Sequence, residues 1–193
     1  MTDWTEHRYA VIDVEGNGQQ PPDLVELGVV PIEAGTIGEP VTWLCRPERP
    51  IAPIARRIHG IQNEMVAAAP PFAEVEPDVR AHLDGAVLVA HNASVDMGVL
   101  RRKMPDFAPA GVLDTLKLSR RLLPGQGSHR LGALVEALQL DRGLPDGLHA
   151  HRAGYDVLVT ARLFVYLASE AGGAPMSFAE LCNGPGGEDD ALF

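Results

Sequence analysis

The hydrophobic pattern at the start of the chain predicts three β-strands. Residues 8–14 (RYAVIDV) and 24–32 (LVELGVVPI) are rich in β-branched side chains, and a shorter run covers residues 41–45. Gly16-Asn17-Gly18 follows the first run and is a turn signal. Because the connections between these runs are short, we expect an antiparallel meander that forms one side of a sheet.

After residue 53 the pattern changes to helical spacing and then alternates between strands and helices. Isoleucines recur at helical intervals between residues 54 and 61. The later predicted elements are strands at 86–90 and 112–113 and helices at 72–83, 131–138 and 157–167. A strand meander followed by strand-helix alternation indicates an α/β fold with a mixed sheet.

The composition is that of one globular domain with a short tail. The chain has 193 residues, of which 46% are hydrophobic and 22% are charged. This length suits one domain of ordinary size. We expect the domain to cover residues 1–172 and residues 173–193, which contain Gly-Pro-Gly-Gly and an acidic run, to be a flexible tail.

The charge balance limits the function classes. Lysine and arginine number 16 against 26 aspartates and glutamates, which gives a formal net charge of −10. This balance argues against a basic protein that coats nucleic acid. It leaves room for a nucleic-acid enzyme, because divalent ions at a carboxylate cluster can reverse the local sign. The N-terminus has no leader-like apolar stretch and no apolar run reaches membrane-spanning length, so the sequence predicts a cytoplasmic protein without a membrane partner.

Two acids at the end of the first predicted strand are candidate metal ligands. Asp13 and Glu15 are two residues apart, so on a strand both side chains project from the same face. Mg²⁺ prefers oxygen ligands and keeps water or phosphate in its shell, which a pair of carboxylates at a strand end permits. Acidic pairs near strand ends are more often solvated, so this pair alone is a weak signal.

Two further acids and a histidine lie near predicted helix starts. Asp96 follows the strand at 86–90, at the sheet edge where α/β proteins build their sites. Asp156 opens the last long helix, and His151 stands five residues before it. On a straight helix that separation is about 140°, so these two side chains converge only if His151 lies on the preceding loop. Taken singly, each residue has a capping role as its alternative explanation.

In combination, three motifs resemble those of a known enzyme family. IDVEG, VAHNASVD and HRAGYD resemble, in order and spacing, the three motifs of the DEDDh 3′–5′ exonucleases, which include the proofreading epsilon subunit of bacterial DNA polymerase III. Supporting matches are IHGI from residue 58, Asp114-Thr115 before a helix, and HRLGAL from residue 129. The resemblance covers roughly residues 8–168.

The resemblance implies a fold, a reaction and a set of functional residues. The fold is ribonuclease H-like, with a five-stranded mixed sheet flanked by helices. The reaction is hydrolysis of phosphodiester bonds from the 3′ end of DNA, in a proofreading-like manner, with release of nucleoside 5′-monophosphates. The implied ligands of two divalent cations, Mg²⁺ or Mn²⁺, are Asp13, Glu15, Asp96 and Asp156. His151 is then the general base, because it fits the HxAxxD spacing and His149 does not.

The sequence departs from the family pattern at two positions beside these acids. Gly16 stands where threonine commonly follows the glutamate, and Val95 stands where an aromatic residue often precedes the second-motif aspartate. These two positions are expected to affect how the enzyme binds the sugar and base of the terminal nucleotide. A glycine lets a sugar approach the backbone closely. The expected contacts to the terminal nucleotide are Gly16, His59, His91 and Asn92.

The substrate and the partners stay open at this point. A single-stranded or frayed 3′ end of DNA is the expected substrate, with trimming of RNA ends or degradation of short oligoribonucleotides as the alternative. A catalytically silent module that binds a polymerase or nucleic acid is an alternative of another class. The terminal Asp189-Asp190-Ala191-Leu192-Phe193 is faintly similar to sliding-clamp docking motifs, although the usual glutamine is missing.

Overall fold

The computed structural model describes residues 3–145, 147–171 and 173–182 as a mixed sheet with helices on both faces. The strands are β1 (Tyr9–Gly16), β2 (Leu24–Glu33), β3 (Thr36–Ile37), β4 (Val41–Leu44), β5 (Val87–Ala90) and β6 (Gly111–Asp114). The helices are α1 (Pro53–His59), α2 (Asn63–Val66), α3 (Phe72–Leu83), α4 (Ser94–Lys103), α5 (Thr115–Leu122), α6 (Leu131–Leu138), α7 (Ala153–Ser169) and α8 (Phe178–Cys182). The predicted α/β class with a mixed sheet is confirmed.

The sheet has the order β3-β2-β1-β5-β6, with β4 also paired to β2. β1 is antiparallel to β2 and parallel to β5, and β6 is parallel to β5. The prediction of five strands was wrong by one, because the edge beside β2 is shared by two short strands. β3 pairs with one end of β2 and β4 with its other half, and Pro40 between them has no N–H group to continue the ladder.

The alternation of side chains along β1 divides the core into two layers. Tyr9 and Val11 pack in a cluster with α5, α6 and α7, whereas Ala10 and Ile12 pack with α3 and α4 on the other face. The odd-numbered row of β1 therefore faces α7. Asp13 and Glu15 continue that row, so the strand directs both carboxylates toward the start of α7.

The isoleucines of the first helix do not lie on its buried face. α1 has Pro53 at its start and ends at Gly60, which adopts a left-handed conformation with φ of 75°. Ile54 and Ile58 are 54% and 53% exposed, while Ala55 and His59 are buried. The helix forms as predicted, but a different stripe of its surface faces the protein.

The C-terminal part of the described chain packs against the core. α8 contributes Leu181, which is 2% exposed and belongs to the cluster around α7. Residues 183–193, including the acidic run and the clamp-like segment, lie outside the described residues. A boundary after residue 172 and a flexible tail over 173–193 stay predictions. Within the described ranges, no helix is both long enough and apolar enough to cross a bilayer.

Candidate active site

Three carboxylates meet where β1 ends against the first turn of α7. Asp13 and Glu15 come from β1, and Asp156 lies in the first helical turn of α7. One oxygen from each of these side chains lies within 4.8 Å of the others, which makes them a possible metal-binding group. The strand period of two brings the first pair together, and the packing of α7 on that face of the sheet adds the third.

Asp96 reaches the same cavity from the helix on the opposite face. β5 ends at Ala90, and the turn through Asn92, which has φ of 68°, leads into α4. Asp96 Oδ1 accepts a hydrogen bond of 2.9 Å from the backbone N–H of Val14. The carboxylate is therefore held beside the backbone between Asp13 and Glu15, at the carboxyl end of the parallel strands.

His151 lies on the loop before α7, as its five-residue distance from Asp156 requires. It has φ of 63° and an exposed side chain, and α7 begins two residues later at Ala153. His151 lines one cavity of about 700 Å³ together with Asp13, Glu15, Asp96 and Asp156. The convergence on which the sequence argument depends is therefore present, while the catalytic and metal-binding roles of these residues stay predictions.

Burial raises the pKa of every acid in the cluster, and repulsion from nearby carboxylates adds to the effect. Burial raises the pKa of Glu15 to about 8, with further increases from Asp156, Glu26 and Asp96. Burial likewise raises the pKa of Asp96 to about 7 and that of Asp156 to about 6, and the nearby His151 partly offsets the shift of Asp156. The pKa of Asp13 is raised well above its ordinary value, first by burial and then by Asp96 and Asp156. Without a cation, four carboxylates here are strongly disfavoured as anions.

The donor set fits a divalent cation. Asp13 Oδ2 is buried and has no hydrogen-bond partner among the described residues. A buried carboxylate oxygen without a partner is costly unless a cation or proton satisfies it. The other nearby donors are carboxylate oxygens, which Mg²⁺ and Mn²⁺ favour.

The four predicted contacts to the terminal nucleotide fall into two groups. His91 and Asn92 line the cavity, whereas Gly16 and His59 are not among its lining residues in the described chain. Both ring nitrogens of His91 have partners within the protein: Nδ1 is 2.9 Å from Thr115 Oγ1 and Nε2 is 3.0 Å from the His129 carbonyl. His91 therefore offers a ring face to the cavity, and nucleotide binding by all four residues stays a prediction.

His59 is buried, with 4% of its surface exposed, and so is not a surface-turn residue. Its Nδ1 accepts a hydrogen bond of 3.0 Å from the Ile61 N–H. Burial lowers the pKa of His59, and the nearby backbone of Gly16 partly offsets this effect. Nε2 of His59 is buried and has no hydrogen-bond partner among the described residues.

Sequence reasoning missed a buried ion pair at the rim of the site. Glu26 on β2 is 3% exposed and binds Arg152, the residue that follows His151. Its partner across the β1–β2 ladder is Glu15. One signal was available in the sequence, because Glu26 is a charged residue inside the apolar run LVELGVV. Among the described residues, the cavity-lining residues that sequence reasoning did not assign to the site are Val14, Leu131, Gly132, Val135, Glu136, Gln139, Asp141, Ala150 and Tyr155.

The ribonuclease H-like sheet and its acidic site define a class of enzyme. Acids from β1, α4 and α7 surround one cavity, and a histidine lies on the adjacent loop. This is the arrangement of metal-dependent 3′–5′ exonucleases of the DEDDh type.

Comparison with known proteins places the chain in a family. The model of the RNase T exonuclease family matches residues 10–164, so the chain belongs to this exonuclease family. Exodeoxyribonuclease 10 of Escherichia coli K12 is 38% identical over 176 residues, which cover 91% of this chain and 75% of that protein. The structure of exonuclease X in complex with 5′ overhanging duplex DNA has a TM-score of 0.75 at 36% identity, covering 91% of this chain and 99% of that one. The PolC-type DNA polymerase III of Bacillus subtilis is 31% identical over 96% of this chain but only 13% of its own length.

Proposed function

We propose that this exonuclease acts on the 3′ end of DNA and releases nucleoside 5′-monophosphates. The observation that carries the proposal is the convergence of Asp13, Glu15, Asp96 and Asp156 on one cavity beside His151. The DNA preference is supported by a relative named as an exodeoxyribonuclease and by a similar solved structure that contains duplex DNA. The four acids would hold two divalent cations, Mg²⁺ or Mn²⁺.

The proposed chemistry divides the work between cations and protein. Bound divalent cations would supply charge neutralisation for the acids and electrostatic stabilisation of the phosphodiester oxygens during hydrolysis. His151 would accept the proton of the attacking water as the general base, because a neutral imidazole nitrogen can take up a proton. The exposed position of His151 at the cavity wall leaves its ring free to reach a water there. Val95, 55% exposed at the same cavity, would offer an apolar contact to a terminal base or sugar.

The test is mononucleotide release from labelled single-stranded DNA, frayed and mismatched duplex, RNA and a dinucleotide. We expect DNA to be degraded from the 3′ end with added Mg²⁺ or Mn²⁺, and EDTA or Asp13→Ala to abolish release. His151→Ala is expected to lose about 100-fold or more in kcat, because general-base catalysis contributes roughly 10²–10⁴-fold. His149→Ala is the matched control, since it alters an exposed histidine of the same loop.

Each result of this panel has a defined meaning. Faster release from RNA or from the dinucleotide would contradict the DNA proposal, and no release from any substrate would favour a silent binding module. A His151→Ala variant with wild-type turnover would contradict the assignment of the base.

Three further predictions from the sequence stay proposals. We propose residues 1–172 as the exonuclease domain, a cytoplasmic location, and a polymerase or sliding-clamp partner for the segment 189–193. Pull-down of the clamp with and without Leu192 and Phe193 tests the last of these. Equal capture by both chains would contradict it.

A further inference from the structure

We propose that Glu26 and Arg152 are a positioning pair that holds the loop carrying His151 over the acids. This inference rests on the proposed function, because it takes His151 as the base. Neither residue touches the reacting atoms in this proposal. Their effect is transmitted through the backbone that joins Arg152 to His151 and to Asp156.

The contacts between the two residues form a clamp with three hydrogen bonds. Arg152 Nη2 donates to Glu26 Oε1 at 2.6 Å, and Arg152 Nε donates to Glu26 Oε2 at 3.0 Å. The N–H of Ala153, the first residue of α7, also donates to Glu26 Oε2 at 3.0 Å. A bidentate arginine-carboxylate pair fixes orientation as well as distance, so a single carboxylate on β2 sets both the Arg152 side chain and the start of the helix.

The backbone of Arg152 in turn helps to set the positions of His151 and Asp156. Its carbonyl oxygen accepts hydrogen bonds from the N–H groups of Tyr155, at 2.9 Å, and Asp156, at 3.0 Å. His151 immediately precedes it in the chain and has a left-handed backbone conformation, with φ of 63°. Because a left-handed conformation is unfavourable for a residue with a β-carbon, neighbouring contacts must hold it. The Glu26–Arg152 clamp holds the residue that follows His151 in the chain.

The backbone of α7 is also pressed closely on β2 beside this clamp. A β-carbon built at Gly28 would lie 2.7 Å from the Ala153 carbonyl oxygen, so only glycine permits this approach. Glu26 and Gly28 are two apart on β2 and share the face toward α7. Gly28 permits the close contact between β2 and the start of α7, and Glu26 fixes the direction of that contact.

Packing alone does not explain a carboxylate at position 26. Glu26 lies opposite Glu15 and raises the pKa values of Asp13, Glu15 and Asp156, which adds repulsion to an already crowded site. A buried ion pair is often no more stabilising than apolar residues of similar volume. Arg152 lowers the pKa of Glu15 and so offsets part of this repulsion, but a carboxylate at position 26 is still better explained by orientation of the loop than by stability.

The experiment measures kcat and KM for single-stranded DNA at saturating Mg²⁺ in single and double variants. Glu26→Gln and Arg152→Ala are each expected to lower kcat about 10- to 100-fold with little change in KM, the range typical of partners that orient a functional group. Arg152→Lys keeps the charge and one hydrogen bond, so it is expected to recover part of the loss. Glu33→Gln is the matched control, because Glu33 is on the same strand and pairs with Arg8 away from the site.

The decisive comparison repeats these changes in a His151→Ala background. If the pair acts mainly through His151, Glu26→Gln and Arg152→Ala cause a much smaller loss of kcat there, which is the share transmitted through Asp156. A loss of the same size in both backgrounds, or wild-type kcat in the single variants, would overturn the inference. If His151→Ala itself retains wild-type turnover, the assignment of His151 as the base fails instead, while the exonuclease activity stands. Thermal melting confirms folding, and if Arg152→Ala does not fold, Glu26→Gln and Arg152→Lys complete the test.

Discussion

We expect the stability of the cation-free protein to depend steeply on pH. The acids of the site have pKa values raised by burial and mutual repulsion, and in the unfolded chain they return to ordinary values. Between those two values the folded state binds more protons than the unfolded state, so stability falls as pH rises. This loss of stability is absent below the pKa of the unfolded chain and is complete once pH passes the raised pKa of the folded state.

Glu15 gives the magnitude. The rise of its pKa from 4.5 to about 8 corresponds at pH 8 to about 4 kcal/mol of lost stability, relative to a protonated side chain. The contributions of the four acids do not add, because protonation of one acid relieves the repulsion on the others. A loss of several kcal/mol is a large share of the roughly 5–15 kcal/mol that stabilises an ordinary domain.

The assay is urea denaturation followed by circular dichroism at pH 5 and pH 8, in EDTA and in excess Mg²⁺ or Mn²⁺. We expect the EDTA-treated protein to lose several kcal/mol between the two pH values and the cation to remove most of that loss. Glu15→Gln in EDTA is expected to resemble wild type at pH 5 and to exceed it by about 3 kcal/mol at pH 8. Equal stability of the metal-free wild type at both pH values would refute the reasoning.

Three further predictions concern stability. Gly28→Ala is expected to destabilise the folded protein by about 1–3 kcal/mol and to lower kcat, because the added β-carbon meets the Ala153 backbone. Gly98→Ala is the control: its β-carbon meets no atom closer than 3.8 Å, so thermal melts should show a neutral or stabilising effect. Asp114→Ala is expected to cost about 1–2 kcal/mol in urea denaturation, because its carboxylate caps α5 and accepts the Asn92 and Ala93 N–H groups; an unchanged midpoint would contradict this. Leu181→Ala is expected to cost about 2–4 kcal/mol because it leaves a cavity beside α7, and a melting temperature equal to that of wild type would show that α8 contributes little.

Several features of the site follow from local rules that the sequence carries openly. The strand period of two places Asp13 and Glu15 on one face, and the helix period requires His151 to lie off α7. Glu26 and Arg152 were missed because their contact joins residues 126 positions apart. No periodic pattern records such a contact, and the charge inside an apolar strand was its only sign.

The fold shows the same limit at its edges. Thr36–Ile37 is too short to show a strand pattern, so its pairing with β2 comes from the hairpin rather than from periodicity. Ile54 and Ile58 show helical spacing, but spacing alone does not say which stripe faces the protein. Long-range packing decides both cases.

The order in which the site residues occur along the chain has a consequence for synthesis. A ribosome releases Asp13, Glu15 and Asp96 well before His151 and Asp156, which open the helix that covers the sheet. Until α7 emerges and docks on β2, a growing polypeptide has neither the proposed base nor the last of the four acids in place. Hydrolysis is therefore expected only after residue 156 has emerged, and a fragment that stops before residue 150 is expected to be inert.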